Sequence, residues 1–207
     1  MAVKPETGRH AMGVRSQLNA CLAGLFVAEL MIGGAAAPAE GDKGVTVIRE
    51  RTPESPTLAA VADVVAAKAP KTKAILSAMD RGLRQRLGTG TWDTAMSGLV
   101  ATGALAPATN DRLPRQDVVD AATRDRLVDQ LRVAAADNGP IAPRTAVVLS
   151  MTGPANLLEV VAPERRTRRH ARRRIDHALE GTDFERIRKA VRQLIAEANA
   201  AAVGAGT

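Results

Sequence analysis

Leu22-Ala23-Gly24-Leu25-Phe26-Val27-Ala28-Glu29-Leu30 is the stretch on which the fold turns. Leu18, Leu22, Leu25, Phe26, Glu29 and Leu30 recur at helical spacing, so the segment reads as a mostly buried helix stopped by Gly33-Gly34. A second reading competes for the same residues. Lys4, Arg9 and Arg15 precede the apolar run Leu22–Ile32, and Ala35-Ala36-Ala37-Pro38-Ala39 follows it, which is the outline of a secretory signal with a small-residue cleavage site. Glu29 lies inside the run, and the run is too short to span a bilayer, so the expectation is a core helix retained in the mature protein. Glu29 then needs a hydrogen-bond or charge partner, because a buried carboxylate is too costly to leave ionised and unpaired.

Outward from this helix, residues 35–44 read as loop, and Val45-Thr46-Val47-Ile48 is the best strand candidate. Leu58, Val61, Val64 and Val65 mark a second helix after Pro53 and Pro56. A third starts at Thr72, with Ile75, Leu76, Met79, Leu83 and Leu87 on one side and Arg81, Arg84 and Arg86 interspersed. Gly88-Thr89-Gly90-Thr91 breaks that helix, and Met96, Leu99 and Val100 form a short apolar segment closed by Gly103. Helices are expected at Thr123–Val133 and Thr145–Val161, the latter kinked or split at Gly153-Pro154. An arginine-rich block leads into Ile175 and Leu179, and a last helix starts near Asp183 with Ile187, Val191, Leu194 and Ile195 on one stripe. The final Gly204–Thr207 is expected to fray.

Composition supports helices over sheets. Of 207 residues, 45% are hydrophobic, yet there is no Tyr, one Trp and only Phe26 and Phe184, so the core is built from Ala, Val and Leu. Small aliphatic side chains suit close-packed helices, whereas strands favour aromatic and β-branched residues. The formal charge is +7, and seven arginines between Arg165 and Arg174 account for it, since the remaining 22 Lys and Arg balance the 22 Asp and Glu. Any polyanion question is therefore concentrated in one place. The single Cys21 has no disulfide partner within the chain, and His10, His170 and His177 lack Cys or acidic partners at metal-ligand spacing. No phosphate-loop, nucleophile-elbow or metal signature is present, and no second carboxylate or nucleophile pairs with Glu29, so neither a cofactor nor a catalytic site is expected.

The order of segments resembles the Golgi phosphoprotein 3-like family. The likeness rests on Glu6-Thr7-Gly8-Arg9, Leu22–Leu30, Arg81-Gly82-Leu83-Arg84-Gln85-Arg86-Leu87, Leu99-Val100-Ala101-Thr102-Gly103-Ala104-Leu105, Pro143-Arg144-Thr145 and the basic run into Arg174-Ile175. It implies an all-α fold, a compact helical domain with a short β-hairpin, over residues 1–181, with 182–207 as a C-terminal helix packed on it. It also implies a peripheral membrane protein that catalyses no reaction and binds phosphatidylinositol 4-phosphate through a basic face. An adaptor role for cytosolic tails of membrane enzymes belongs to the same implication, and homo-oligomerisation is compatible with it. Family pocket residues are a tryptophan and an arginine on the first helix and two basic residues three apart on a later one. Arg81 and Arg84 match the later pair, whereas Val14 and Ala23 stand at the first-helix positions. About eight residues around Gly88–Ala95 read as an insertion, and the hairpin expected after Leu105 is polar here, with Asn110, Asp111, Arg112, Pro114 and Arg115.

Arg81 and Arg84, at i and i+3, share a helix face, so two guanidinium forks can grip one phosphate; the competing reading is a solvated surface. Arg165, Arg166, Arg168, Arg169, Arg172 and Arg173 form a second candidate, a diffuse basic cluster facing an anionic membrane from the cytoplasmic side. Trp92 either rests at a headgroup interface or folds back into the core, and the core is the expected place. The rival function is a nucleic-acid-binding helical protein of winged-helix type. In it Leu99–Leu105 and a hairpin carrying Arg112 and Arg115 imitate the outline, and the basic block contacts phosphates.

Overall fold

The computed structural model describes residues 15–40, 44–68, 71–108 and 117–204, and 69% of them are helical. The opening helix α1 (Arg15–Ile32) buries Leu18, Cys21, Ala23, Gly24, Val27, Ala28 and Leu30, positions spread round most of its circumference. Such a helix can only be stable with neighbours on several sides. It has them in α2 (Pro56–Ala66), α3 (Thr72–Leu87), α4 (Thr91–Ala101), α6 (Pro143–Thr152) and α9 (Asp183–Gly204). The amide of Ala35 reaches back to Leu30 O at 2.8 Å, and Gly34 adopts φ +71°, the left-handed turn that ends α1. The core stretch that decided the reading is thus the helix around which these five pack.

Local signals set the other ends. Ser55 caps α2 with Pro56 in its first turn, and Asp120 Oδ1 accepts the Thr123 amide at 2.8 Å to start α5 (Ala121–Ala136). Gly153-Pro154 splits the expected long helix: α6 stops at Thr152, and a single turn, α7 (Leu158–Val161), follows. The arginine-rich block is α8 (Arg165–Leu179), whose buried Ala171, Ile175 and Leu179 recur every four residues and pack it against α5 and α6. In the last helix, buried Ile187, Val191 and Ile195 face α1 and α3.

One expectation is corrected. Residues 35–44 are not wholly loop, because Ala36–Pro38 is a strand, β1, paired antiparallel with β2 (Val45–Val47) in the register Ala36–Val47, Ala37–Thr46 and Pro38–Val45. An Ala-Ala-Pro strand has no propensity of its own; pairing with β2 creates it. Of Gly88–Ala95, the stretch read as an insertion, only Gly88–Gly90 lies outside a helix, so it is not a loop in which a tryptophan would be exposed, and Trp92 takes the core position expected of it. Gly88 at φ +74° ends α3, and Thr91 already begins α4, so Trp92 sits on a helix and is 3% exposed, in the core. The hairpin expected after Leu105 is described only at its base, where Leu105 bridges Val118 and Ala106 N donates to Asp117 O at 2.9 Å. Its arm, with Asn110, Asp111, Arg112, Pro114 and Arg115, lies outside the described residues, as do Glu6–Arg9, Val14 and residues 205–207.

Cys21 is buried on α1 against Met151, and burial pushes its thiol up to about 12. A thiol-reactive dye at neutral pH is therefore expected to leave the native protein unlabelled and to modify one site per chain after denaturation. Rapid labelling of the folded chain would contradict this placement.

Candidate basic surface

Helix α8 sorts its arginines by what lies opposite each one. Arg168 turns back onto the carbonyls of Ala162 and Pro163, just before its own helix. Arg174 donates from one Nη to Ala134 O at 3.2 Å and Gly139 O at 2.8 Å, at the C-terminal end of α5. A cation there satisfies carbonyls that the helix leaves open and complements its dipole. Both are structural. Arg165, Arg166, Arg169, Arg172 and Arg173 are different: they line one groove of about 650 Å³ and have no hydrogen bond or ion pair among the described residues. Five of the six arginines named for the basic cluster are thus brought together, and Arg168 is set apart from them.

The second pair behaves otherwise. Arg81 lines a groove of about 640 Å³ between α2 and α3, together with Lys68 and Arg86. Arg84 is bound instead to Asp80, Nε to Oδ2 at 3.0 Å, while Asp80 Oδ1 accepts the Thr91 amide at 2.8 Å. Partial burial would raise the Asp80 carboxyl, but the bonds from Arg84 and Thr91 outweigh it and hold it below the usual carboxylate range. An internal carboxylate therefore already occupies the space between Arg84 and the start of α4. This lock went unread in the sequence, although the i, i+4 spacing of Asp80 and Arg84 carried its signal.

Ala23 is buried in the core, so this first-helix position offers no polar contact to a headgroup. The partner expected for Glu29 is present: Arg144 donates to both its oxygens, at 2.5 and 3.2 Å, and joins the Leu22–Leu30 segment to Pro143-Arg144-Thr145. Glu29 itself is only half-buried, its side chain 38% exposed, so the pair is a surface clamp between α1 and α6.

These segments, in this order and packed on α1, coincide with a family model described as Golgi phosphoprotein 3 (GPP34), which matches residues 1–198. The chain belongs to the Golgi phosphoprotein 3 family. No curated protein and no solved structure matches it. The all-helical fold with a small antiparallel hairpin agrees with that membership. Among the described residues no helix is long and apolar enough to cross a membrane, and no group of His, Cys, Asp and Glu is placed to hold a metal ion.

Proposed function

We propose that this Golgi phosphoprotein 3 family member is a peripheral membrane protein that binds anionic phospholipid headgroups and works by attachment, without catalysis or cofactor. The observation that carries the reading is the groove of five arginines on α8 that have no partner among the described residues. Guanidinium groups held on one stripe of a packed helix, with no carboxylate bound to them among the described residues, are available to external anions. At about 1 kcal/mol each near an anionic surface, they supply roughly 5 kcal/mol, enough for reversible recruitment. In this reading the protein sits on the cytoplasmic face of the membrane, where it can also act as an adaptor for tails of membrane enzymes, alone or as a homo-oligomer. Arg81 and Arg84 add headgroup preference, with phosphatidylinositol 4-phosphate as the ligand implied by family. That preference is modest, because Arg84 must exchange Asp80 for the headgroup and Ala23 contributes no donor.

Nucleic acid is the less favoured partner. In the winged-helix outline, α5 follows the Leu105–Val118 bridge, yet its Arg124 and Arg132 are paired with Asp125 and Asp129 at 2.7 and 2.9 Å. A helix two of whose three arginines are paired with its own carboxylates makes a poor phosphate-tracking surface.

Sedimentation with vesicles of defined headgroups, set against duplex-DNA binding at the same salt, tests the proposal. The expected result is binding to anionic vesicles that weakens steeply as salt rises. Protein that ignores anionic vesicles yet binds duplex DNA tightly at physiological salt would replace the membrane reading with the rival.

A further inference from the structure

Helices α6, α8 and α9 border a further, half-open cavity of about 340 Å³ whose polar lining is Ser150 from α6, Arg172 and Asp176 from α8 and Arg188 and Arg192 from α9. Helices α8 and α9 each contribute an i, i+4 pair, so two residues of α8 face two of α9 across the opening. Arg188 is only 7% exposed. One Nη donates to Asp176 Oδ1 at 2.5 Å, but its Nε is buried with no partner. Arg172 and Arg192 have no hydrogen bond or ion pair among the described residues. The carbonyls of Met151, Thr152 and Gly153 at the end of α6 accept amides from the following turn, so they do not serve these arginines.

We infer that this cavity is a binding site for a phosphate monoester. A buried guanidinium with an idle donor is costly unless an acceptor reaches it, and the cavity it lines is where an acceptor can enter. Charge selects the class. Among the residues that line the cavity, three arginines face one aspartate, an excess of two positive charges that matches the dianion of a phosphomonoester near neutral pH. A carboxylate or phosphodiester neutralises only one of them. Three guanidinium forks on two helices also suit the several oxygens of a terminal phosphate better than the single charged oxygen pair of a diester. Gly153 borders the site, and a Cβ built there meets nothing within 4 Å. Asp176 acts as the internal placeholder that the incoming phosphate displaces from Arg188. Because Arg172 also lines the α8 groove, the site adjoins the proposed membrane-facing surface but does not depend on it.

Calorimetric titration of the full chain with glycerol 3-phosphate, inorganic phosphate and dimethyl phosphate at constant ionic strength tests this. The two dianions are expected to bind saturably below about 10 mM and the monoanionic diester about tenfold more weakly. Arg192→Gln, an exposed position, should weaken the dianions by about tenfold, whereas Asp176→Asn should tighten them several-fold. Changes of opposite sign cannot arise from general destabilisation, and Arg126→Gln, which removes the same charge on α5, should leave the titration unaltered. No saturable binding of either dianion, or equal weakening by Arg126→Gln and Arg192→Gln, would overturn the site. Vesicles then distinguish the source. Preference for phosphatidic acid over charge-matched phosphatidylserine, lost in Arg192→Gln, assigns a lipid headgroup; equal binding alongside intact glycerol 3-phosphate affinity assigns a soluble ester. The soluble titration stands even if vesicle binding fails, so the two proposals fail separately.

Discussion

Replacing Gly82 with valine is expected to cost about 3 kcal/mol and to lower the thermal midpoint by roughly 6–12 °C. Gly82 lies mid-way along α3, where a glycine is ordinarily a weakness that alanine repairs by about 1 kcal/mol. Here the helix approaches α2 so closely that a Cβ would meet Val64 Cγ2 at 2.5 Å and Cγ1 at 3.0 Å. Val64 is itself buried between the helices, at 2% exposure, so it must shift to make room. Even alanine must displace the Val64 side chain, and valine adds two methyl groups to the same contact. Val64→Ala should recover much of the loss, with a coupling of about 1 kcal/mol or more in a double-mutant cycle. Denaturant unfolding of the four proteins measures it. Strictly additive effects would show that the close approach of α2 and α3 is not what requires glycine. Gly24 in α1 is the companion case, since a Cβ there would lie 2.8 Å from Val191 of α9. Both glycines lie in the segments that carried the family resemblance, which gives those motifs a packing cause.

The largest functional effect is expected from replacing Arg165, Arg166, Arg169 and Arg173 together with glutamine. Removing four contacts of about 1 kcal/mol each should weaken binding to every anionic vesicle by roughly a thousandfold and flatten its salt dependence. Glutamine is a good helix former, and the buried Ala171, Ile175 and Leu179 stay in place, so α8 should survive. Arg172 is kept to leave the neighbouring cavity intact, and Arg168 and Arg174 are kept because they hold carbonyls. The matching control is Arg174→Gln, which should reduce stability by about 1–3 kcal/mol with little change in vesicle binding. A quadruple variant that sediments like the wild type would remove α8 from the membrane contact. Exchanging Arg81 and Arg84 is expected to act on headgroup preference alone, by about 1 kcal/mol, because a paired fork imposes geometry as well as charge.

Much of the fold was legible because it is local. Helical spacing in Leu18–Leu30, Ile75–Leu87 and Ile187–Ile195, glycine stops at Gly34 and Gly88, and the break at Gly153-Pro154 all act within a few residues. The ordered family motifs, the charge excess confined to 165–174 and the need of Glu29 for a partner were equally present in the sequence. Tertiary structure decided everything that depends on what stands opposite. Ala36–Pro38 becomes a strand only because Val45–Val47 pairs with it, and Trp92 enters the core because α4 begins at Thr91 and packs on α1 and α3. Along α8 the arginines are chemically identical and closely spaced, yet Arg168 and Arg174 meet carbonyls while five others meet none. Nothing in the sequence singles out Arg188 and Arg192 of the last helix; α8 does so by placing Asp176 and Arg172 across from them. Residue type and period determine which helices form and which face is apolar; only packing determines which charges are consumed inside the protein and which remain for a ligand.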